Sequence, residues 1–292
     1  MCCAIFAQNL AGLCSAYPYP PDIKRIKDRG KIIVSQYSGV EPGFFDFDDA
    51  QRYPDQPFFI HQTRRLVGCD IGLAMKIAEK LAVRLELDRS PKDFSSVCQY
   101  VASGKADLGI SKLSITLQRS QYLGFTQSYA TLHTGVLIDR LFAFGAARGK
   151  SILAICNHPD TRVGVKSGTS YVEFARELFP KARLVLYPDF EPMLKAVLSG
   201  EVNGIYDEEP NVVQRLLLDP RLALRLRFVL VPDKLDRIGI AVAPENTTML
   251  AFLNLLLDGG DVRTSILRAL KSRLKIGLDS MSNSPANRDR GN

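Results

Sequence analysis

Apolar and polar positions follow one another in a pattern that predicts alternating strands and helices in the first half of the chain. Residues 31–35 form a short apolar run of the kind found in buried strands, and 71–82 carry apolar side chains three and four positions apart. The alternating segment 83–87 predicts a half-buried strand, a helical stripe follows at 94–101, and 106–110 is again strand-like. This β-α-β-α-β order is typical of a sheet with crossover helices.

The same order returns in the second half of the chain. Strands are predicted at 162–166, 183–187 and 204–206, and helices at 170–178 and 191–198. Both halves also contain a helix that stops at glycine and is followed by one charged residue and a strand. The two copies of this junction are Ser103-Gly104-Lys105 and Ser199-Gly200-Glu201. Two similar α/β lobes in one chain are therefore predicted.

The remaining periodic segments are too small to form a third domain. They are a strand at 238–242 and helices at 247–257 and 262–274. We expect them to fold back onto the first lobe. The chain then crosses between the lobes twice, near 132–138 and 236–242.

Two lobes separated by these crossings, together with the two ends of the chain, give four predicted parts. The parts are a degenerate export signal or membrane tether at 1–26, lobe 1 at 27–134 plus 239–275, lobe 2 at 135–238, and a disordered tail at 276–292. The first segment lacks the features of an ordinary secretory signal, because Gln8 and Asn9 interrupt its apolar run and its first cation is Lys24. The alternative is the cut edge of a longer, membrane-attached protein.

Composition narrows the class of protein further. The chain has 292 residues, 46% of them hydrophobic and 24% charged, which excludes disordered, collagen-like and coiled-coil proteins. The 38 basic and 31 acidic residues give a net charge of +7 that is spread along the chain, which argues against nucleic-acid binding. The six cysteines contain no CxxC pair and the three histidines have no metal-ligand spacing, so neither a metal nor a cofactor is expected.

Several short segments together carry a family resemblance. They are Gly68-Cys69-Asp70-Ile71-Gly72-Leu73-Ala74, Gly104-Lys105-Ala106-Asp107, Ser114-Ile115-Thr116 with Arg119, Phe125-Thr126-Gln127-Ser128-Tyr129, Val163-Gly164-Val165-Lys166-Ser167-Gly168-Thr169 and Ile205-Tyr206-Asp207. With these segments in this order, the chain resembles the type 2 periplasmic substrate-binding proteins of amino-acid uptake systems, which are bacterial extracellular solute-binding proteins of family 3.

The resemblance implies an α/β fold of two lobes, each a mixed sheet flanked by helices, with two hinge crossings and a cleft between the lobes. It implies a receptor rather than an enzyme, which closes on an amino acid or similar small carboxylate and delivers it to the membrane permease of an ABC transporter. We expect a monomer in the periplasm or another extracytoplasmic space, either free or tethered to the membrane, without nucleic-acid partners.

The candidate binding residues lie at strand ends and at one helix start. Ser114 and Arg119 follow the strand predicted at 106–110, and ligands collect at such strand ends in open α/β sheets. Arginine offers a carboxylate two parallel N–H groups, which lysine cannot do. Gly168-Thr169-Ser170 opens a helix, whose free amides attract anions. By resemblance, Arg119, Ser114 and Thr169 hold the α-carboxylate of the ligand, and Asp207 holds its α-amino group.

Each of these residues also has a structural explanation. Arg119 could form a surface ion pair, and Asp207 could pair with an arginine of lobe 2 or belong to an acidic run with Glu208. Thr169 could cap its helix. Asp70 precedes the helix predicted at 71–82, and we assign it to capping rather than to ligand binding.

Two further residues bear on the side chain of the ligand. Tyr37 stands where family members carry an acidic or aromatic pocket residue, and the lack of a carboxylate there argues against lysine or arginine as the ligand. Lys112 departs from the small residue that is usual in the family. Facing the cleft, it would favour an acidic ligand; alternatively it points to solvent or pairs with Glu41 or Asp46.

Two other functions remain open for this sequence. One is a ligand-sensing domain of a larger membrane-attached protein. The other is an enzyme similar to cyclohexadienyl dehydratase on the same fold, in which Glu208 or Glu173 would protonate a leaving hydroxyl.

Overall fold

The computed structural model describes residues 18–50, 53–147, 149–260, 262, 264–266 and 270. The helices are α1 Pro21–Arg29, α2 Cys69–Lys80, α3 Phe94–Ala102, α4 Arg140–Ala147, α5 Ile152–Cys156, α6 Tyr171–Leu178, α7 Phe190–Ser199, α8 Glu209–Leu218, α9 Leu222–Arg225 and α10 Thr247–Asp258. The strands are β1 Lys31–Ser35, β2 Asp46–Phe47, β3 Phe58–His61, β4 Arg64–Val67, β5 Arg84–Asp88, β6 Leu108–Ser114, β7 Gly124–Phe125, β8 Ala130–Asp139, β9 Arg162–Lys166, β10 Arg183–Tyr187, β11 Gly204–Glu208 and β12 Leu226–Val242.

One mixed sheet runs through both lobes. Its strand order is β10-β9-β11-β8-β12-β6-β1-β5, and β7 pairs with β12 outside this path. The neighbours within each end of the sheet are parallel, whereas β8 and β12 in the middle are antiparallel to their partners. These two central strands are the crossings between the lobes, as the fold class predicts. The predicted limits at 134 and 239 fall inside them.

Helices cover both faces of each half of the sheet. In lobe 1, α1, α2 and α10 pack on one face around Ile32, Ile71 and Leu253, and α3 packs on the other around Val97. In lobe 2, α6 packs on one face and α7 on the other, around separate buried clusters. The lobes therefore have independent cores and meet along the central strands and the cleft.

The structure adds five helices that the pattern does not predict, α1, α4, α5, α8 and α9, and differs from the predicted strands in three places. The segment between β1 and α2, predicted as a loop, contains a three-stranded antiparallel sheet in the order β2-β4-β3. Strand β6 extends to Ser114, and the strand predicted at 238–242 is the end of the much longer β12. In the small sheet, strands β3 and β4 form a hairpin, but their two-residue turn is Gln62-Thr63, both at positive φ. The glycine or asparagine that usually marks such a turn in a sequence is absent.

The ends of the chain are only partly described. Helix α1 lies partly within the predicted signal segment 1–26, and its Ile23 and Ile26 are buried in the core of lobe 1. Folded structure therefore begins before that boundary. Residues 1–17, most of the helix predicted at 262–274 and the tail at 276–292 lie outside the described residues. Among the described residues, no helix has the length and apolar character needed to cross a bilayer.

Candidate ligand-binding site

Residues from both lobes and from one hinge strand surround a small cavity at the strand ends. They are Glu41, Phe94, Lys112, Ser114, Arg119, Lys166, Thr169, Ser170, Tyr171, Asp207, Asn211 and Asp236. The cavity measures about 20 Å³, which is room for one water molecule. A ligand of even a few heavy atoms therefore enters only when the lobes move apart.

Arg119 is fixed by the turn that follows β6. This 3₁₀ turn, Arg119–Gln121, begins where the backbone N–H of Arg119 donates to Thr116 Oγ1 over 3.2 Å. Nη1 of Arg119 donates to the Ser114 carbonyl oxygen at 3.1 Å. The side chain is buried, and within the described ranges no carboxylate lies within ion-pair distance of its guanidinium. These facts argue against the surface ion pair.

The lobe 2 side of the cavity comes from the start of α6. Thr169 Oγ1 donates to the Lys166 carbonyl oxygen at 2.7 Å. The N-cap residue is Ser170, whose side chain makes no capping bond, so the idea that Thr169 caps the helix is wrong. Ser170 Oγ instead lies 2.6 Å from Ser114 Oγ across the cleft. The two hydroxyls join the lobes directly.

Asp207 lies buried at the end of β11. Its Oδ1 accepts the backbone N–H of Glu208 at 2.8 Å. Burial and the neighbouring Glu208 carboxylate raise the pKa of Asp207 to about 7. In the part of the chain that the structure describes, no arginine or lysine comes within 4 Å of it, so pairing with an arginine of lobe 2 finds no support.

Asp236 on β12 is a carboxylate that the sequence motifs do not indicate. Its Oδ2 accepts Ser114 Oγ at 3.0 Å and Tyr171 Oη at 2.8 Å, one donor from each lobe. Its Oδ1 is buried without a hydrogen-bond partner among the described residues. Burial raises the pKa of Asp236 to about 6, against the lowering effect of both donors. An unpaired acceptor at the hinge is suited to a donor group of a ligand.

Lys112 lies inside the cleft rather than in solvent. Its Nζ contacts Glu41 Oε2 at 2.6 Å and Glu208 Oε1 at 2.5 Å. Burial disfavours the ammonium, but the two carboxylates outweigh it and raise the pKa of Lys112 above its ordinary value. The predicted pairing with Glu41 therefore occurs, and Lys112 lines the cavity at the same time. Glu208 Oε2 also lies 2.7 Å from Tyr171 Oη.

Asp70 supports Lys112 from behind and does not cap its helix. The N-cap of α2 is Gly68, and Asp70 lies in the first helical turn, so the assignment of Asp70 to capping is wrong. Its Oδ2 accepts the backbone N–H of Lys112 and its Oδ1 accepts Tyr129 Oη, each at 2.8 Å. Burial raises the pKa of Asp70 to about 6. The motif aspartate thus fixes the backbone at position 112.

Comparisons with known proteins agree with this architecture. The family described as bacterial extracellular solute-binding proteins, family 3, matches residues 50–259. The chain belongs to this family. Its identification from the sequence motifs is confirmed, as is the function of a solute-binding receptor of the amino-acid-binding kind.

Relatives of this solute-binding protein include transport proteins and an enzyme. It is 26% identical over 213 residues to ABC transporter arginine-binding protein 1 of Escherichia coli, covering 72% of this chain and 82% of the relative. It is 26% identical over 136 residues to the cyclohexadienyl dehydratase of Pseudomonas aeruginosa, covering 47% and 48%. A solved amino acid ABC transporter substrate-binding protein from Streptococcus pneumoniae, bound to L-arginine, has a TM-score of 0.65 at 24% identity, covering 87% of this chain and 99% of that one.

Six of the seven predicted site residues line the cavity of the solute-binding protein. They are Lys112, Ser114, Arg119, Thr169, Ser170 and Asp207. Tyr37 lies one layer further out, with its ring 5.1 Å from that of Phe94. Their roles toward a ligand stay predictions. Sequence reasoning missed Asp236 and Tyr171 as site residues. The available signal for Asp236 was its position, because it is a charged residue at the start of the crossing strand predicted at 236–242.

Replacing Asp236 by asparagine is expected to stabilise the protein at pH 8 but not at pH 4. The pKa of Asp236 is about 6 in the folded protein and near 3.8 in a free side chain, so the folded state binds more protons between these values. The protonated carboxyl of Asp236 therefore stabilises the folded state fully below pH 3.8, and this stabilisation is lost as the pH rises through 6. Ser114 and Tyr171 both contact Oδ2 of Asp236, and the amide oxygen of asparagine can accept hydrogen bonds at the same place.

Urea unfolding of the two proteins at both pH values measures this difference. The free energy of unfolding of Asp236→Asn, relative to the original chain, should increase by about 2 kcal/mol from pH 4 to pH 8. The exposed Asp160→Asn is the control, and it should show no such increase. If the free energy of unfolding of Asp236→Asn differs from that of the original chain by the same amount at both pH values, Asp236 does not ionise with a raised pKa.

Proposed function

We propose that this receptor binds an α-amino acid between its lobes and delivers it to the permease of an ABC transporter. One observation carries the proposal. Arg119 of lobe 1 contributes a buried cation and Asp207 of lobe 2 a buried carboxyl to the same cavity, and neither has an ion-pair partner within the described residues. A zwitterion supplies the missing partner to both.

The geometry suggests which group each residue receives. Arg119 donates to the α-carboxylate. The hydroxyls of Ser114 and Thr169 donate to it from opposite lobes, once each turns its single proton away from the acceptor that it has without ligand. Asp207 accepts the α-ammonium, and the unpaired Oδ1 of Asp236 offers a second acceptor. Because these groups belong to both lobes, the ligand stabilises the closed arrangement through contacts that the open one lacks.

The relatives support this proposal and its setting. The Escherichia coli relative is named as an arginine-binding protein of an ABC transporter, and the family name places its members outside the cytoplasm. We infer the same extracytoplasmic location and a permease partner for this chain. We further propose that the receptor is a monomer. It either diffuses freely in the extracytoplasmic space or is tethered to the membrane.

Thermal unfolding in the presence of each of the twenty amino acids tests the proposal. A ligand that binds only the folded protein should stabilise it by about 3–4 kcal/mol at several hundred times its dissociation constant. Arg119→Ala should abolish this effect, and Arg119→Lys should restore little of it because lysine lacks the bidentate geometry. The exposed Arg221→Ala should behave as the original chain. Stabilisation by no amino acid contradicts the proposal.

A dehydratase is the second candidate, and one observation favours it. Tyr171 has a single hydroxyl proton but contacts both Glu208 and Asp236, so one of these carboxyls must carry a proton to complete both bonds. A proton-holding carboxyl in the cleft is what a general acid needs. The structure favours Asp236 over Glu208, which pairs with Lys112, and over Glu173, which does not line the cavity. Release of water from prephenate or arogenate, lost in Asp236→Asn, would establish this activity.

A further inference from the structure

The ammonium of Lys112 connects the two lobes at the back of the cleft. Glu41 belongs to the segment before β2 in lobe 1, and Glu208 ends β11 in lobe 2. Lys112 Nζ lies within 2.6 Å of a carboxylate oxygen of each. It also lies 5.7 Å from the centre of the Phe44 ring. All three charged side chains are almost completely shielded from solvent.

Two carboxylates and an aromatic face in a dry pocket form a binding site for an organic cation. Carboxylates bind ammonium or guanidinium through short charge-assisted bonds, and a ring face adds cation–π attraction. Here the chain's own lysine takes this position. Opening of the lobes separates Lys112 from Glu208, but Glu41 stays beside it in the same lobe.

A second lysine occupies the neighbouring cation position. Lys166 Nζ lies 3.4 Å from Glu41 Oε1 and 3.4 Å from Asp189 Oδ1. Its distances to the ring centres of Tyr37 and Phe94 are 5.5 and 5.8 Å. Burial opposes ionisation of Glu41, but Lys112 and Lys166 outweigh it and hold the pKa of Glu41 below its ordinary value. The carboxylates and aromatic rings in this part of the cleft are thus already in contact with cations of the chain itself, Lys112 and Lys166.

The backbone at position 112 holds the lysine in this orientation. Its φ is +47°, a left-handed conformation that non-glycine residues rarely adopt within a strand. The Asp70 carboxylate binds its N–H, and the pairing register between β6 and β12 shifts beside it. A strained conformation persists only where the surroundings impose it, so the surrounding contacts, rather than chance, set the direction of this side chain.

We propose that Lys112 occupies the place that the cationic side chain of a bound amino acid would need, so that the receptor selects amino acids whose side chains carry no positive charge. This inference rests on the proposed amino-acid receptor. A lysine or arginine ligand would have to displace Lys112 from its two carboxylates and would face two like charges. Selectivity thus comes from repulsion and an occupied pocket. Neutral or acidic side chains meet neither obstacle.

The name of the arginine-binding relative and the occupied pocket lead to opposite expectations for arginine. If the ligand followed the relative, arginine would bind the unmodified chain. The structure predicts that it does not, and that removing the Lys112 ammonium permits it. The test therefore needs one variant that vacates the pocket and another that removes the charge but keeps the volume.

Lys112→Ala vacates the pocket, and Lys112→Met is the matched control, since it fills the space without a charge. Calorimetric titration of each protein with glutamine, glutamate, lysine and arginine measures the selectivity. The original chain should bind glutamine or glutamate and not the cationic pair. Lys112→Ala should gain at least about tenfold in affinity for lysine or arginine, and Lys112→Met should not.

Chemical rescue provides a readout that does not depend on amino-acid binding. Lys112→Ala leaves Glu41 and Glu208 buried without their cation, which lowers the melting temperature. n-Butylamine should raise that temperature by several degrees in Lys112→Ala and leave Lys112→Met and the original chain unchanged. If Lys112→Ala does not fold, Lys112→Ala combined with Glu208→Gln reduces the unpaired charge and replaces it in both experiments.

The outcomes separate the two proposals. Binding of arginine or lysine to the original chain overturns the role of Lys112 and leaves the amino-acid receptor intact. The same holds if Lys112→Ala gains neither cationic ligands nor rescue by n-butylamine. Rescue by n-butylamine together with no amino-acid binding to any variant supports the cation pocket and overturns the receptor.

Discussion

Alanine at position 68 is expected to lower the free energy of unfolding by about 4 kcal/mol, or to prevent folding. Gly68 has a φ of +125°, and a Cβ atom there would lie 2.2 Å from the Phe44 carbonyl oxygen. The forced conformation and the backbone clash each cost about 1–3 kcal/mol. Neither can relax independently, because the N–H of Asp70 donates to that same oxygen at 3.0 Å.

The contrast with another left-handed glycine makes this prediction specific. Gly104 has a φ of +72°, and nothing lies within 4 Å of the site of its missing Cβ. Gly104→Ala should therefore cost only the conformational strain, about 1–2 kcal/mol. Urea unfolding of both variants decides between them. Equal losses would mean that the close approach of Phe44 has no energetic weight.

Gly68 also bears on the binding site. Phe44 belongs to the short turn that carries Glu41, in which Glu41 and Phe45 exchange backbone hydrogen bonds of 2.9 and 2.8 Å. Displacing Phe44 therefore shifts Glu41 away from Lys112. Any folded Gly68→Ala protein should lose ligand affinity as well as stability.

Alanine at position 107 is expected to lower the free energy of unfolding by about 2–3 kcal/mol. Asp107 is buried; its Oδ2 accepts the Ile33 N–H at 2.8 Å and a hydrogen bond from Arg29, and its Oδ1 lies 3.5 Å from Arg25. It thereby holds α1 against β1. Only Asp107 is buried in this group, since the side chains of Arg25 and Arg29 are 48% and 30% exposed and can turn to water. The loss therefore comes mainly from the Ile33 N–H, which is left without its acceptor, and from the lost charge-assisted bond to Arg29.

Two further variants check the mechanism. Asp107→Asn keeps an oxygen for Ile33 but removes the charge that faces Arg25 and Arg29, so its loss should be intermediate. Asp28→Ala removes an exposed ion pair with Lys24 and should change stability by less than about 0.5 kcal/mol. Denaturant midpoints measure all three. A loss for Asp107→Ala no larger than that for Asp28→Ala contradicts the role of Asp107.

The sequence predicts most elements of the two lobes because their signals are local. Strands β9 and β10 have the bounds predicted for them, and α3, α6 and α7 agree within one or two residues. Helix α3 is typical: Asp93 caps it and its apolar stripe faces the sheet. The small sheet β2-β4-β3 has no such signal, because the turn that joins β3 to β4 is Gln62-Thr63, without the glycine or asparagine that usually marks a two-residue hairpin turn.

Site residues that belong to a local motif were predictable, whereas most contacts between distant segments were not. Ser114, Arg119 and Asp207 belong to recognisable motifs at strand ends. The pairing of Lys112 with Glu41 is predicted, but its pairing with Glu208 is not, since Glu208 lies 96 residues away along the chain. Asp236 reaches the cleft only because β12 crosses between the lobes. Sequence patterns indicate where chemistry lies along one segment, whereas the fold decides which distant segments meet.

The position of β12 in the sheet also determines the order in which the protein can be completed. Lobe 2 consists of consecutive elements, so its strands can pair soon after they are synthesised. Lobe 1 cannot close until β12 arrives, because Ile238 pairs with Ser114, more than one hundred residues earlier. Such distant pairing forms slowly. The same strand carries Asp236, so the step that completes the sheet of lobe 1 also completes the ligand-binding cleft.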